Sequence, residues 1–411
     1  MTPPRFAVFI PRPELRGGGD KHALSIAEIL LERGDVTVVT EHLDTVAKLQ
    51  EIGRFHNLDL TGCHLLCLPR GRSLASRAAY RLQAPVELIR RFQNREDYRD
   101  LRRKGFDVFV NVAAGSTLIN PSPVGIFVCM FPNPPPDTLP DSSVSRREAW
   151  ADAVSPLIGG SNPNVSLTYD IVLPNSTFTK EWLQRWWGAP QAEVLFPPCE
   201  PMARTGVTRR KLIVNVGRFF SGETGSHHKR QDVLLRTFAT MGHLHDEGWE
   251  LALVGPVHEG PGPERFVADL KQQARGLPVQ IMTGVDHGAL VRLMNEASIY
   301  WHATGFGTEI NREPSRQEHF GMSTVEAMSA GAVPIVYAGA GARDTVEDGV
   351  TGYTWQTVDE LRRLTTEVAG DEALRERLAE AAKQSSERFG RAAFRARLLQ
   401  ILDALSLSPA D

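Results

Sequence analysis

The chain has 411 residues, 42% of them hydrophobic, and a formal net charge of −3. That length exceeds what one hydrophobic core usually supports, so two domains of roughly 200 residues each are expected. The near-neutral charge excludes a general pull toward nucleic acid, and no apolar run approaches the roughly 20 residues of a membrane-spanning helix.

Taken in order, Phe6–Ile10 reads as a short buried strand reached directly from Met1, so no signal peptide is expected. Lys21–Arg33 reads as an amphipathic helix and Val36–Thr40 as a second strand, which predicts a parallel sheet. Between the first strand and this helix lies Gly17-Gly18-Gly19. It lacks the Gly-x-Gly-x-x-Gly spacing of a dinucleotide site. Two readings remain: Gly18 and Gly19 let a phosphate or sugar approach the backbone, or the run is a flexible turn.

Residues 70–104 are the most basic stretch, with Arg70, Arg90, Arg91, Arg99, Arg102, Arg103 and Lys104 among many cations and few acids. Such a helix suits peripheral contact with an anionic membrane face or a lipid-diphosphate acceptor, and equally a solvated face. Val108–Val112 and Gly125–Met130 read as strands. Phe131-Pro132-Asn133-Pro134-Pro135-Pro136 then opens a long polar loop running to Asn164. Ile171–Pro174, a helix at Thr177–Trp187 and a strand at Glu193–Phe196 complete the first domain. Trp182, Trp186 and Trp187 read as packing residues. Cys63, Cys67, Cys129 and Cys199 have no zinc spacing and read as reduced thiols of a cytoplasmic protein.

Pro197-Pro198-Cys199-Glu200-Pro201 reads as a linker. A buried strand at Lys211–Val216 follows, ending in Gly217-Arg218, then a loop to Lys229-Arg230-Gln231-Asp232 and an amphipathic helix. Strand and helix then alternate through Leu251–Val254, Glu264–Arg275, Val279–Met282, His287–Glu296 and Ile299–His302. The stretch Glu318-His319-Phe320-Gly321-Met322-Ser323-Thr324-Val325-Glu326 follows. It places one carboxylate in a loop, a glycine turn, Ser323 or Thr324 as helix cap, and a second carboxylate on the helix. Gly331 ends that helix and Val333–Val336 is the next strand. Free N–H groups at the helix start favour an anion such as phosphate. Helices at Val358–Glu367 and Glu372–Arg388 and a last one at Ala392–Leu407 close the chain. No Asp-x-Asp metal motif occurs anywhere. Arg218 and Lys229 are two cations of one loop–helix unit, and each would otherwise read as a surface ion-pair partner.

The Glu318-to-Glu326 stretch, with Val216-Gly217-Arg218, Lys229, Gly331, Pro334 and Glu347-Asp348-Gly349, resembles the Glu-x7-Glu pattern of the retaining glycosyltransferases of family four. Its Glu-His-Phe-Gly is loosely similar to the GDP-mannose-dependent mannosyltransferases. The resemblance implies an α/β protein of the GT-B fold, two Rossmann-like domains with parallel sheets facing across a cleft. Residues 1–200 would form the acceptor-side domain, 207–388 the nucleotide-sugar domain, and 389–411 a helix returning to the first. It further implies a metal-independent hexosyltransferase without cofactor. The donor would be a GDP- or UDP-hexose and the acceptor a glycan, glycolipid or lipid-linked oligosaccharide. The rivals are a small-molecule glycosyl synthase and a non-catalytic binding protein. By resemblance, Arg218 and Lys229 face the diphosphate, Glu326 the ribose, and Glu318 the hexose. The backbone of Phe320, Gly321 and Met322 reaches sugar hydroxyls. The family histidine of the first domain is absent, Cys129-Met130-Phe131-Pro132 standing in its place.

Overall fold

The computed structural model describes residues 2–13, 18–70, 77, 81, 86–113, 115–135, 164–220, 228–258 and 260–406. The chain divides into two units, Met1–Pro198 with Arg395–Asp411, and Cys199–Phe394.

The first unit contains β1 (Arg5–Phe9), α1 (Gly18–Leu30), β2 (Asp35–Thr40), α2 (Val46–Phe55), β3 (His64–Cys67), α3 (Val86–Lys104), β4 (Val108–Asn111), β5 (Val124–Cys129), β6 (Ile171–Pro174) and α4 (Thr177–Trp187). Its strands form one parallel sheet in the order β3-β2-β1-β4-β5-β6. Their apolar runs are buried, as a sheet covered by helices on its faces requires. Phe9, Phe109, Phe127, Tyr169 and Trp187 join one core cluster, and Trp187 Nε1 donates to the Asn133 carbonyl at 3.0 Å.

Several expectations change here. Gly18 and Gly19 open α1 instead of preceding it, with Asp20 complementing the positive helix end; Gly17 lies outside the described residues. Glu193–Phe196 is no strand. Glu193 and Leu195 donate their N–H groups to Val172 and Pro174 of edge strand β6. Pro174 has no N–H to return, so the pairing stops at an isolated bridge between Val172 and Ala192. The expected basic surface at 70–104 is smaller than its composition implies, and parts of that segment lie outside the described residues. Arg91 and Asp97 of α3 are buried, and Arg70 Nε reaches Glu41 at 2.6 Å; Arg90, Arg99, Arg102, Arg103 and Lys104 are exposed.

His22 of α1 is fully buried, and loss of hydration pushes its imidazole from 6.5 down to about 3. As pH falls below 6.5, the unfolded chain takes up a proton that the folded chain refuses. Stability should therefore drop by about 2 kcal/mol between neutrality and pH 5 from this residue alone. Denaturant titrations across that range should show a shallower slope in His22→Leu, whatever its absolute stability. An unchanged slope would refute the assignment.

The second unit contains β7 (Arg210–Val216), α5 (Gln231–Ala239), α6 (Gly242–Asp246), β8 (Glu250–Gly255), α7 (Pro261–Gln273), β9 (Val279–Thr283), α8 (His287–Glu296), β10 (Ala297–His302), α9 (Met322–Ser329), β11 (Val333–Tyr337), α10 (Ala342–Thr345), β12 (Tyr353–Trp355), α11 (Val358–Gly370) and α12 (Glu372–Ser386). The last helix, α13, spans Arg391–Ala404, and its residues from Arg395 on belong to the first unit. There Arg395 bonds Glu32, Arg397 bonds Glu193, and Asp403 accepts from Arg33.

The second sheet is also parallel, in the order β12-β11-β10-β7-β8-β9. Successive side chains go to opposite faces. Ile213, Leu251, Leu253, Ile299 and Trp301 join one core cluster, while Leu212, Val214, Ala252, Val254 and Tyr300 join the other. The chain runs outward from β7 through β8 and β9, then returns to place β10 on the other side of β7. Strand order reverses there, and the carboxyl ends of β7 and β10 flank the point where open α/β sheets place ligands. No described helix is long and apolar enough to cross a membrane.

Candidate active site

Both cationic and acidic groups converge at that reversal point. Beyond β7, Gly217 leaves room for the Lys229 stem: a Cβ at Gly217 would lie 2.8 Å from Lys229 Cγ. Lys229 Nζ donates to Glu318 Oε2 at 2.6 Å. The two side chains are 19% and 16% exposed, so the pair is partly desolvated and stronger than a surface ion pair.

Beyond β10, His302 is buried, and its Nε2 lies 3.0 Å from the same Glu318 Oε2 and 3.0 Å from Thr304 Oγ1. A carboxylate held by Lys229 is an acceptor, so His302 donates from Nε2. Glu318 is fixed through its backbone too, since its carbonyl accepts from Gly341 N–H at 2.7 Å. Gly341 approaches so closely that a Cβ there would lie 2.6 Å from the Phe320 nitrogen. Only glycine allows that contact.

The helix that follows begins differently from expectation. Ser323 and Thr324 do not cap α9. Gly321, at φ +95°, takes the cap position without any side-chain hydrogen bond. The Ser323 hydroxyl lies instead 2.8 Å from the Tyr300 hydroxyl on β10. Burial raises the Tyr300 pKa, and the nearby Glu318 and Glu326 carboxylates add to the shift, so the phenol keeps its proton. Thr324 N–H bonds back to the Gly321 carbonyl. The N–H groups of Met322 and Ser323 have no partner among the described residues, and they form the positive end of α9. Glu326 is half-buried one turn further along, and the Phe320 ring is buried edge-on against Phe389. The Phe320 ring is therefore taken up by packing.

Arg218 is exposed, its guanidinium carbon 5.7 Å from the centre of the Phe220 ring, and no described carboxylate pairs with it. Part of the loop that follows, 221–227, lies outside the described residues. Lys229, Glu318 and the α9 start thus come together in the second unit, whereas Gly18 and Gly19 belong to the first. His302 and Tyr300 were not anticipated. The available signal was a polar residue closing a buried strand at the reversal of strand order. No cluster of three or more His, Cys, Asp or Glu side chains suited to a metal occurs among the described residues.

A family model described as glycosyl transferases group 1 matches residues 203–385. That segment is a glycosyl transferases group 1 domain. The group 1 domain contains Arg218, Lys229, His302, Glu318 and Glu326 within its matched span. Over 259 residues the chain is 26% identical to the GDP-Man:Man(3)GlcNAc(2)-PP-Dol alpha-1,2-mannosyltransferase of Dictyostelium discoideum, covering 57% of this chain and 47% of that protein. Over 118 residues it is 34% identical to the glycogen synthase of Xanthomonas oryzae pv. oryzae, covering 28% of this chain and 20% of that enzyme. The chain thus spans about half or less of the length of these curated relatives. The crystal structure of Anabaena Alr3699/HepE in complex with UDP and glucose superposes with a TM-score of 0.65 at 15% identity, covering 97% of this chain and 99% of that one. With the group 1 domain in a two-unit chain of parallel six-stranded sheets, this likeness establishes the expected GT-B fold class.

Proposed function

We propose that this chain is a retaining hexosyltransferase that moves a hexose from a nucleoside-diphosphate sugar to a glycan, glycolipid or lipid-linked oligosaccharide. The observation that carries this reading is the Lys229–Glu318–His302 cluster beside the unpartnered amides of α9, at the reversal point of the sheet. Departure of the diphosphate builds negative charge on the leaving oxygen. Arg218, Lys229 and the α9 amides are the groups that offset it, and each cation near 4 Å contributes about 4 kcal/mol at an effective dielectric of 20. Glu318, turned toward the hexose, favours positive character at the anomeric carbon, and Glu326 accepts from the ribose hydroxyls. Retention then follows from front-face substitution, in which the departing phosphate oxygen takes the acceptor's proton. Two carboxylates serving different ends of one donor do not form a glycosidase pair, whose members flank one bond at about 5 Å.

Relatives name GDP-mannose and UDP as ligands of their own sites, which supports a nucleoside diphosphate here. The exposed cations of α3 supply a surface for a lipid-linked acceptor at the cytoplasmic face of a membrane. A calorimetric panel of GDP, UDP, ADP and dTDP, each with and without EDTA, tests the proposal. One base should bind best, and both binding and transfer should survive the chelator. Activity abolished by EDTA and restored by magnesium or manganese would overturn the metal-free mechanism. Absence of binding to all four nucleotides would overturn the function.

A further inference from the structure

A cavity of about 560 Å³ in the group 1 domain lies among α5, α7 and the loop from Ala303 to Gln317. Neither Lys229 nor Glu318 lines it. Four arginines do, Arg230, Arg236, Arg265 and Arg316, together with Asp232 and Asp269.

The arrangement leaves positive charge to spare. Asp232 alone serves two arginines, accepting from Arg236 Nη2 at 2.6 Å and from Arg230 Nε at 3.4 Å. Arg265 and Asp269 make no ion pair with any described residue, although they stand one helical turn apart on α7. Arg316 is paired with Glu313, which is not part of the lining. The walls are fixed on both sides. Arg230 is held in the left-handed region at φ +52°, its guanidinium bonded to the Phe306 carbonyl and stacked 5.7 Å from that ring's centre. Gly307, at φ +79°, passes close beside it, and a Cβ there would lie 2.9 Å from Arg230 Nη1. Phe266 and Leu270 add apolar surface to the lining, and the Thr308 hydroxyl there is held between the Gly305 carbonyl and Gln317.

We infer that this cavity binds a phosphorylated small molecule at a site separate from the nucleotide-sugar site. Guanidinium forks match phosphate oxygens in pairs, and the volume exceeds what a bare phosphate fills, leaving space for a hydroxyl-bearing body. The two sites are adjacent in sequence: Lys229 turns to Glu318, and Arg230, the next residue, turns to Phe306 and the cavity.

The test is calorimetric titration of the intact chain with inorganic phosphate, a hexose phosphate and the unphosphorylated hexose. Both phosphates should bind and the hexose should not. Arg265→Gln and Arg316→Gln should each weaken phosphate binding about tenfold, the loss of one charge-assisted contact. Arg265→Lys should recover part of it. Thermal melting of each variant checks that the fold is retained. Phosphate binding lost in Arg218→Ala and kept in Arg265→Gln would assign the anion to the nucleotide-sugar site and overturn the inference. So would the absence of phosphate binding, or equal binding of the free hexose. Phosphate binding is read without turnover, so failure of the transferase proposal would leave this result standing.

Discussion

Glu318→Gln should lower the rate of hexosyl transfer about 10²–10³-fold while leaving affinity for the free nucleoside diphosphate intact. The substitution preserves size and hydrogen-bonding capacity but removes the negative charge beside the developing oxocarbenium character. Lys229 Nζ, 2.6 Å from the carboxylate, loses its ion-pair partner and is released toward the diphosphate. Ground-state binding of nucleotide therefore should not fall. His302 Nε2, 3.0 Å away, can still donate to the amide oxygen, so the loop keeps its place. Glu326→Gln should show the opposite bias, with weaker nucleotide binding. Single-turnover transfer set beside calorimetric affinity separates the two effects. Lost nucleotide binding with unchanged turnover per bound donor in Glu318→Gln would reverse the assignment of the carboxylates.

Lys229→Ala should have an effect of similar size through a different route. In the proposed mechanism it removes a cation facing the leaving diphosphate, a loss of about 3–4 kcal/mol in the transition state. It also leaves Glu318, only 16% exposed, without its ammonium partner. Arg218→Ala should cost less, because the Arg218 guanidinium is exposed and its contact among the described residues is with the Phe220 ring. Both variants should weaken nucleotide binding; Arg218→Ala should melt close to the parent, and Lys229→Ala should stay folded but melt lower. The combined variant should lose less than the sum of the two, since both cations serve one diphosphate. Near-normal kinetics in both single variants would mean that they are surface groups.

The parts of this site that were legible in the sequence are those written along it. Gly217-Arg218, Lys229, Glu318 and Glu326 follow recognisable local spacing, and the helix and strand after Gly321 could be placed from it. Parts that depend on strand pairing were not legible. Tyr300 and His302 look like members of a buried strand until β10 is set beside β7 and their faces are fixed. Gly341 reads as one glycine in a run, and its role depends on the close passage of residues 318–320. Serine and threonine are good caps in general, whereas a left-handed glycine two or three positions earlier caps α9 here. Glu193–Phe196 has the apolar pattern of a strand, but Pro174 ends the edge it would join.

The return of β10 to the side of β7 also sets the order in which the site comes into being. β8 and β9 add to β7 through successive crossovers, but Ala297 must come back to pair beside Arg210 before Glu318 can meet Lys229. That closure spans more of the chain than any other strand pairing of the second sheet, and loop-closure entropy places it late in the assembly of that sheet. A newly made or refolding chain thus has a nearly complete sheet before it can hold a donor. A donor bound as proposed, contacting both segments, would act as a clasp on that junction. Its grip is then felt as resistance of the whole second unit to unfolding, beyond the order it brings to a single loop.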